Sequence, residues 1–135
     1  MSVIGHGIDL VDIAELRRWI EDPRDPLLPR CFIQEELDEI GDGPHRTERL
    51  AGRFAAKEAV LKAMGTGYGD GVAFTDVVIH RAGGGPPQVR LSGGAARAAS
   101  VLGINGWRLS ISHTETTAMA SVIAVSDSDQ PASSE

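Results

Sequence analysis

The sequence predicts an α+β fold in which an antiparallel sheet packs with helices in the order β-α-α-α-β-β-α-β-β, carried by a single domain over residues 1–126. Three observations predict it. The chain has 135 residues, which bounds it to one hydrophobic core that buries roughly two thirds of the unfolded surface. Segments with a two-residue alternation stand near both ends, separated by a long segment of helical period. A Gly and Pro cluster joins two short apolar runs as a hairpin, so strands and helices do not alternate as a doubly wound parallel sheet requires.

Residues 2–11, SVIGHGIDLV, put Ile4, Ile8 and Leu10 on one side of a strand and Gly5, Gly7 and Asp9 on the other. The glycines leave that second face flat and open, and Asp9 projects from it. Asp12 followed by Glu15, then Leu16, Trp19 and Ile20, predicts a capped helix over 12–21,. Pro23, Pro26 and Pro29 break it. A short helix is expected over 34–40, with Glu35, Glu36, Asp38 and Glu39 as a solvated acidic face. The strongest segment is TERLAGRFAAKEAVLKAM, 47–64, with Leu50, Phe54, Leu61 and Met64 at helical spacing and a Gly65-Thr66-Gly67 stop,. VAFTDVVIHR and QVRLS then flank AGGGPP as a hairpin, and GGAARAASVLG (93–103) suits a small helix,. WRLSIS (107–112) reads as a strand with Trp107, Leu109 and Ile111 inward. TAMASVIAVS (117–126) is apolar or small on both faces, as in a strand covered on both sides, one of them by a neighbouring subunit. Residues 127–135 are expected to form a disordered tail.

Composition narrows the function classes. With 13 basic against 19 acidic residues the formal charge is −6, which argues against a general nucleic-acid binder. No apolar run approaches bilayer length, the N-terminus lacks a signal-peptide layout, and the single cysteine, Cys31, forms no internal disulfide. A reducing cytoplasm is the default expectation. Eleven of the 13 basic residues are arginine, and the two lysines, Lys57 and Lys62, share the 47–64 helix.

On that helix Glu58 lies at the edge of the apolar stripe, four residues before Lys62. The spacing fits a surface ion pair of a few tenths of a kcal/mol. On spacing alone that pair is the favoured reading; the alternative is a carboxylate held against apolar surface, which must be neutralised by a proton, a cation or a metal. Asp9, on a different element, is either a cap acceptor or a second carboxylate of the same centre. Two carboxylates from separate elements are the usual protein share of a Mg²⁺ site, and Lys62 and Arg53 beside it would complement phosphate. His113, just past the SIS strand end, reads as a structural hydrogen-bonder or a site residue. Ser112 and His113 are not a nucleophile and base, because adjacent strand residues point apart and no G-x-S-x-G turn exists. GTGYGDG after a helix matches neither a Walker loop nor a dinucleotide fingerprint.

Taken together, GIDLVDIAEL (7–16), RFAAKEAVLKAMGTG (53–67) and LSISHT (109–114) resemble the holo-acyl-carrier-protein synthases, the small single-domain branch of the phosphopantetheinyl transferases. The resemblance spans nearly the whole chain. It implies Mg²⁺-dependent transfer of the 4′-phosphopantetheine arm of coenzyme A to a serine of an apo acyl carrier protein, with release of adenosine 3′,5′-bisphosphate. It implies that Asp9 and Glu58 hold Mg²⁺ on the pyrophosphate, that Lys62 lies near the bond that breaks, and that Arg53, Gly65, His113 and Thr114 border the coenzyme. Glu58, acting through a bound water, is the expected proton acceptor. The resemblance also implies a homotrimer with the site between subunits. This chain departs from relatives in having Glu15 where many carry a basic residue and Ile33 where many carry a capping Ser or Thr. Carrier docking on the first helix then falls to Arg17 and Arg18, with Arg24 as a third candidate. Two rivals stay open here: a binding module without turnover, and a structural oligomer in which Glu58 and Lys62 only bridge.

Overall fold

The computed structural model describes residues 1–66, 71–81 and 83–128. Its centre is helix α4, Arg46–Met64, nineteen residues that are buried on nearly every side after the first turn. Alanines at 55, 56, 59 and 63 make part of its surface flat, and strand β1 (Ser2–Asp12) lies against it. A Cβ on Gly5 would collide with the carbonyl of Ala63, and one on Gly7 with that of Ala59. The glycine face of β1 is therefore not open, as expected from the alternation, but is the face that lets strand and helix backbones approach. Ile4, Ile8 and Leu10 are the exposed side, Leu10 by 66%.

β1 pairs antiparallel with β5 (Thr117–Ser126), which pairs antiparallel with β4 (Gly106–His113), giving the order β1-β5-β4. Ala118, Ala120, Val122 and Ala124 of β5 are buried beneath α4, while Met119 and Ile123 stay exposed on the far side beside Ile8 and Leu10. Within one chain, then, β5 is covered on one face only. A second sheet pairs β2 (Val77–His80) with β3 (Gln88–Leu91) antiparallel. The first half of the expected strand, Phe74–Asp76, is a 3-10 turn instead, and it stacks the Phe74 ring on Phe54 with centroids 5.4 Å apart.

Helix α1 (Ile13–Glu21) starts as expected, with the Asp12 carboxylate accepting from the Glu15 backbone N–H at 3.0 Å. The proline segment adds a helix that the expected order lacks, α2 (Leu27–Cys31). Pro29 is tolerated because it stands in the first turn, where its missing N–H has no intrahelical acceptor. Helix α3 (Gln34–Ile40) has the expected bounds, and Glu35, Asp38 and Glu39 are exposed as expected, but Glu36 is not. Glu36 is fully buried on Lys57, Glu39 pairs with Arg53, and Glu35 pairs with Arg90. These three acids each meet a cation from elsewhere in the fold, while Asp38 accepts from Gln34 of the same helix at 2.8 Å, so acidic composition alone missed the burial of Glu36 and the partners of three of the four. Helix α5 (Gly93–Leu102) follows the hairpin.

Asp127, within the expected tail, is held by Asn105, side chain to backbone at 2.7 and 2.8 Å. Residues 129–135 of that tail and Gly67 of the glycine stop lie outside the described residues. Among the described residues no helix is long and apolar enough to cross a membrane.

Candidate active site

The β1–α4 contact brings together the residues proposed for chemistry. Because Gly5 and Gly7 permit close approach, Asp9 at the end of the same strand face reaches α4, where its Oδ1 accepts from Lys62 Nζ at 2.8 Å. Lys62 Nζ also donates to the Ile8 carbonyl at 3.1 Å. The ion pair of Lys62 thus crosses between elements rather than running along the helix to Glu58. The Asp9 side chain is 10% exposed and that of Lys62 54%, so the pair has one buried and one solvent-facing end. Asp9 Oδ2 is buried with no hydrogen-bond partner.

Glu58 stands next to Asp9. Its carboxyl is pushed up to about 7, first by burial and then by the Asp9 charge, with Lys62 opposing. The Lys62 ammonium is pushed above its ordinary value, chiefly by its hydrogen bond to Asp9. Two facing carboxylates, one of them protonated near neutrality for want of a counterion and the other with an unpartnered oxygen, form a donor set lacking positive charge. That set fits a hard divalent cation taking part of its coordination from protein oxygens and the rest from water or phosphate. Among the described residues no group of three or more His, Cys, Asp or Glu gathers as a complete cage.

Gly65 ends α4 in the left-handed conformation at φ 70°, its N–H returned to the Lys62 carbonyl at 3.0 Å. A Cβ there would meet nothing within 4 Å, so backbone conformation rather than space calls for glycine.

Arg53 and His113 are elsewhere. Arg53 precedes Lys62 by nine residues, which at about 100° each is half a turn around the helix axis. It is buried, pairs with Glu39 at 2.8 Å and donates to the Ile79 carbonyl at 2.7 Å. The expectation that Arg53 stands beside Asp9 and Glu58 in one chain is corrected by this geometry. Arg53 and His113 instead line a second cavity of about 470 Å³, together with Arg49, Arg81, Glu39 and Ile111. His113 is exposed, and its Nδ1 lies 3.1 Å from the Thr114 carbonyl. Thr114 is fixed in the β4–β5 turn, its hydroxyl accepting from the N–H groups of Thr116 and Thr117.

Two groups escaped the sequence reading. Arg49 reaches the carbonyls of Ile40 and Asp42, and its spacing of four from Arg53 is a signal that one helix face carries both,. The Glu36–Lys57 pair had no local signal, since the partners are 21 residues apart.

A family model described as the 4′-phosphopantetheinyl transferase superfamily matches residues 5–116. A holo-(acyl-carrier-protein) synthase of Hydrogenovibrio crunogenus is 40% identical over 93% of this chain and 99% of its own length. The crystal structure of the Neisseria meningitidis holo-(acyl-carrier-protein) synthase superposes with a TM-score of 0.80 at 33% identity, covering 91% of this chain and 98% of that one. That of Helicobacter pylori, in complex with coenzyme A, gives 0.77 at 28% identity over 89% of this chain and 99% of that one. The family match covers the strand that carries Asp9, the helix that carries Glu58 and Lys62, and the β4 end that carries His113, and the chain belongs to the 4′-phosphopantetheinyl transferase superfamily and, within it, to the holo-acyl-carrier-protein synthases.

Proposed function

We propose that this chain moves the 4′-phosphopantetheine of coenzyme A onto a serine of an apo acyl carrier protein, with Asp9 and Glu58 holding Mg²⁺. The observation that carries the reading is the underneutralised pair, Glu58 raised to about 7 beside an Asp9 with an unpartnered buried oxygen. A bound Mg²⁺ would supply neutralisation of the pyrophosphate charge. The serine Oγ forms a bond to the phosphorus bearing the pantetheine, the bridging P–O bond breaks, and adenosine 3′,5′-bisphosphate leaves. Lys62, tethered by Asp9 yet half exposed, presents its remaining donor capacity to phosphate oxygens,. Glu58, acting through a bound water, is assigned as the acceptor of the serine proton.

Coenzyme A appears with the Helicobacter pylori relative, and on this chain we assign its borders to Lys62 and Gly65 on one side and to Arg53, His113 and Thr114 on the other. Those two sets lie on different sides of α4, which supports a site completed by a second subunit, in a homotrimer. The exposed row Ile4, Ile8, Leu10, Met119 and Ile123 supplies an apolar face for such association,. The acidic carrier docks on α1 through Arg17 and Arg18, both exposed; Arg24 already bonds Asp22 at 3.1 Å and contributes less,.

The test incubates the chain with coenzyme A, Mg²⁺ and an apo carrier known to be modified by another transferase, and weighs the carrier. A gain of one phosphopantetheine supports the reading, and no gain overturns it.

A further inference from the structure

Lys57, adjacent to Glu58 on α4, is used by no step of the proposed transfer, yet its side chain is 0% exposed. All three ammonium donors are taken. Nζ donates to Glu36 Oε1 at 2.9 Å, to the Phe74 carbonyl at 3.2 Å and to the Val77 carbonyl, and it sits 5.1 Å from the Phe32 ring centroid. Glu36 is equally saturated, accepting from the Ile33 and Ile79 N–H groups at 3.0 Å each. Burial pushes the Lys57 ammonium below its ordinary value, and Glu36 opposes that shift.

Stability is a poor reason for such a pair, because well-packed apolar residues of similar volume serve as well or better in most interiors. What the ammonium does uniquely is hold two carbonyls that bracket the 3-10 turn, those of Phe74 and Val77. The Phe74 ring stacks on Phe54, and Ala73, Phe74, Phe54, Cys31 and Trp19 line a cavity of about 580 Å³ into which Glu58 opens. That cavity lies among α2, α4 and the 3-10 turn, and Trp19 of α1, the helix assigned to the carrier, completes its lining.

We infer that Lys57, anchored by Glu36, is a positioning residue that fixes the Ala73–Phe74 wall of the cavity beside Glu58, and thereby the surface the carrier's serine-bearing segment meets. The inference rests on the transfer reading for the identity of the partner, while the rigidity of the wall is independent of it. Removing the hub frees the Phe74 carbonyl to move and loosens the cavity, while Lys62 and Gly65 of the coenzyme borders are held by Asp9, Ile8 and the end of α4.

The experiment uses the paired variant Lys57→Met with Glu36→Gln, which leaves no unpaired buried charge, and Phe74→Leu, which alters the wall with the hub intact. Two readouts are taken on the full chain beside the unfolding midpoint. The first is labelling of Cys31, the only cysteine, by an uncharged thiol reagent. Burial raises the Cys31 thiol pKa, and Lys57, after Arg30, opposes that rise, so loss of Lys57 alone slows labelling and acceleration reads access,. The expected result is acceleration of about ten-fold or more, beyond the change in global stability. Acceleration that only tracks global stability, or none, overturns the inference. The second readout is steady-state transfer, where the carrier KM rises about ten-fold and the coenzyme KM moves by less than about two-fold. Equal changes in both, or additive effects of the hub and Phe74→Leu substitutions on carrier KM, also overturn it. If the paired variant does not fold, Phe74→Leu decides: unchanged Cys31 labelling with unchanged carrier KM overturns the inference. Should the wild-type chain transfer nothing, the transfer reading fails and the labelling arm still decides whether Lys57 holds the wall.

Discussion

Asp9 and Lys62 meet at 2.8 Å across the joint between β1 and α4, and the second Asp9 oxygen is buried without a partner. One oxygen is thus committed to the lysine that faces solvent, and the other faces Glu58. The two carboxyls stand next to one another, partly buried, and the chain alone leaves them underneutralised,.

The first consequence is a pH dependence of stability in the metal-free chain. Glu58 has a folded pKa of about 7, above its ordinary value of 4.5. The folded state therefore binds the extra proton between those values, and stability falls as pH rises from about 4.5 to about 7 and stays low above it. The loss is on the order of 3 kcal/mol, reduced by solvent screening of the partly exposed carboxyl. Urea unfolding at pH 5 and pH 8, without divalent cations, should show a smaller fall for Glu58→Gln than for the wild type. Parallel behaviour of the two chains would remove the assignment.

A substitution that removes no charge should disturb the same centre. Gly7→Ala places a Cβ against the Ala59 carbonyl, so either β1 or α4 must shift. The expected loss is about 1–3 kcal/mol, with transfer reduced further because the strand carrying Asp9 moves off Lys62. Thermal unfolding and turnover measured together check this, and a fully active, equally stable variant would show that the contact is loose.

If each site is built from two chains, damage to its two halves is complementary. Asp9→Ala and His113→Ala should each be nearly inactive. Chains mixed under subunit exchange should regain roughly a quarter of wild-type activity, the share of interfaces with both halves intact under random assembly. No recovery despite demonstrated exchange would place the whole site within one chain.

Reversing Arg17 and Arg18 to Glu tests docking on α1. The carrier KM should rise at least about ten-fold at low salt with the coenzyme KM little changed, since rim charges mainly steer encounter. Equal effects on both substrates would contradict the docking assignment.

Much of this was legible in the residues before any coordinates. The bounds of α3 and α4, the Asp12 cap and the hairpin follow from local period and capping chemistry, whereas the meeting of Asp9 with the Glu58–Lys62 helix is expected only from the family resemblance. What escaped depends on tertiary pairing. Alternation in β1 shows that Gly5 and Gly7 share a face, but not that the alanines of α4 lie against it. Acids on α3 look unpaired until Lys57, Arg53 and Arg90 arrive from other elements. Arg53 and Lys62 share a motif and a helix, yet half a turn of that helix sends them to different sides.

The most direct test of the central claim replaces Asp9 with Asn and Glu58 with Gln, singly, each nearly isosteric and each removing one charge from the pair. With coenzyme A, apo carrier and saturating Mg²⁺, the mass of the carrier is followed over time. The account predicts wild-type conversion and a loss of roughly a thousand-fold or more in kcat for each variant, with folding stability above pH 7 preserved or raised. Turnover within a few-fold of wild type in either variant would contradict it.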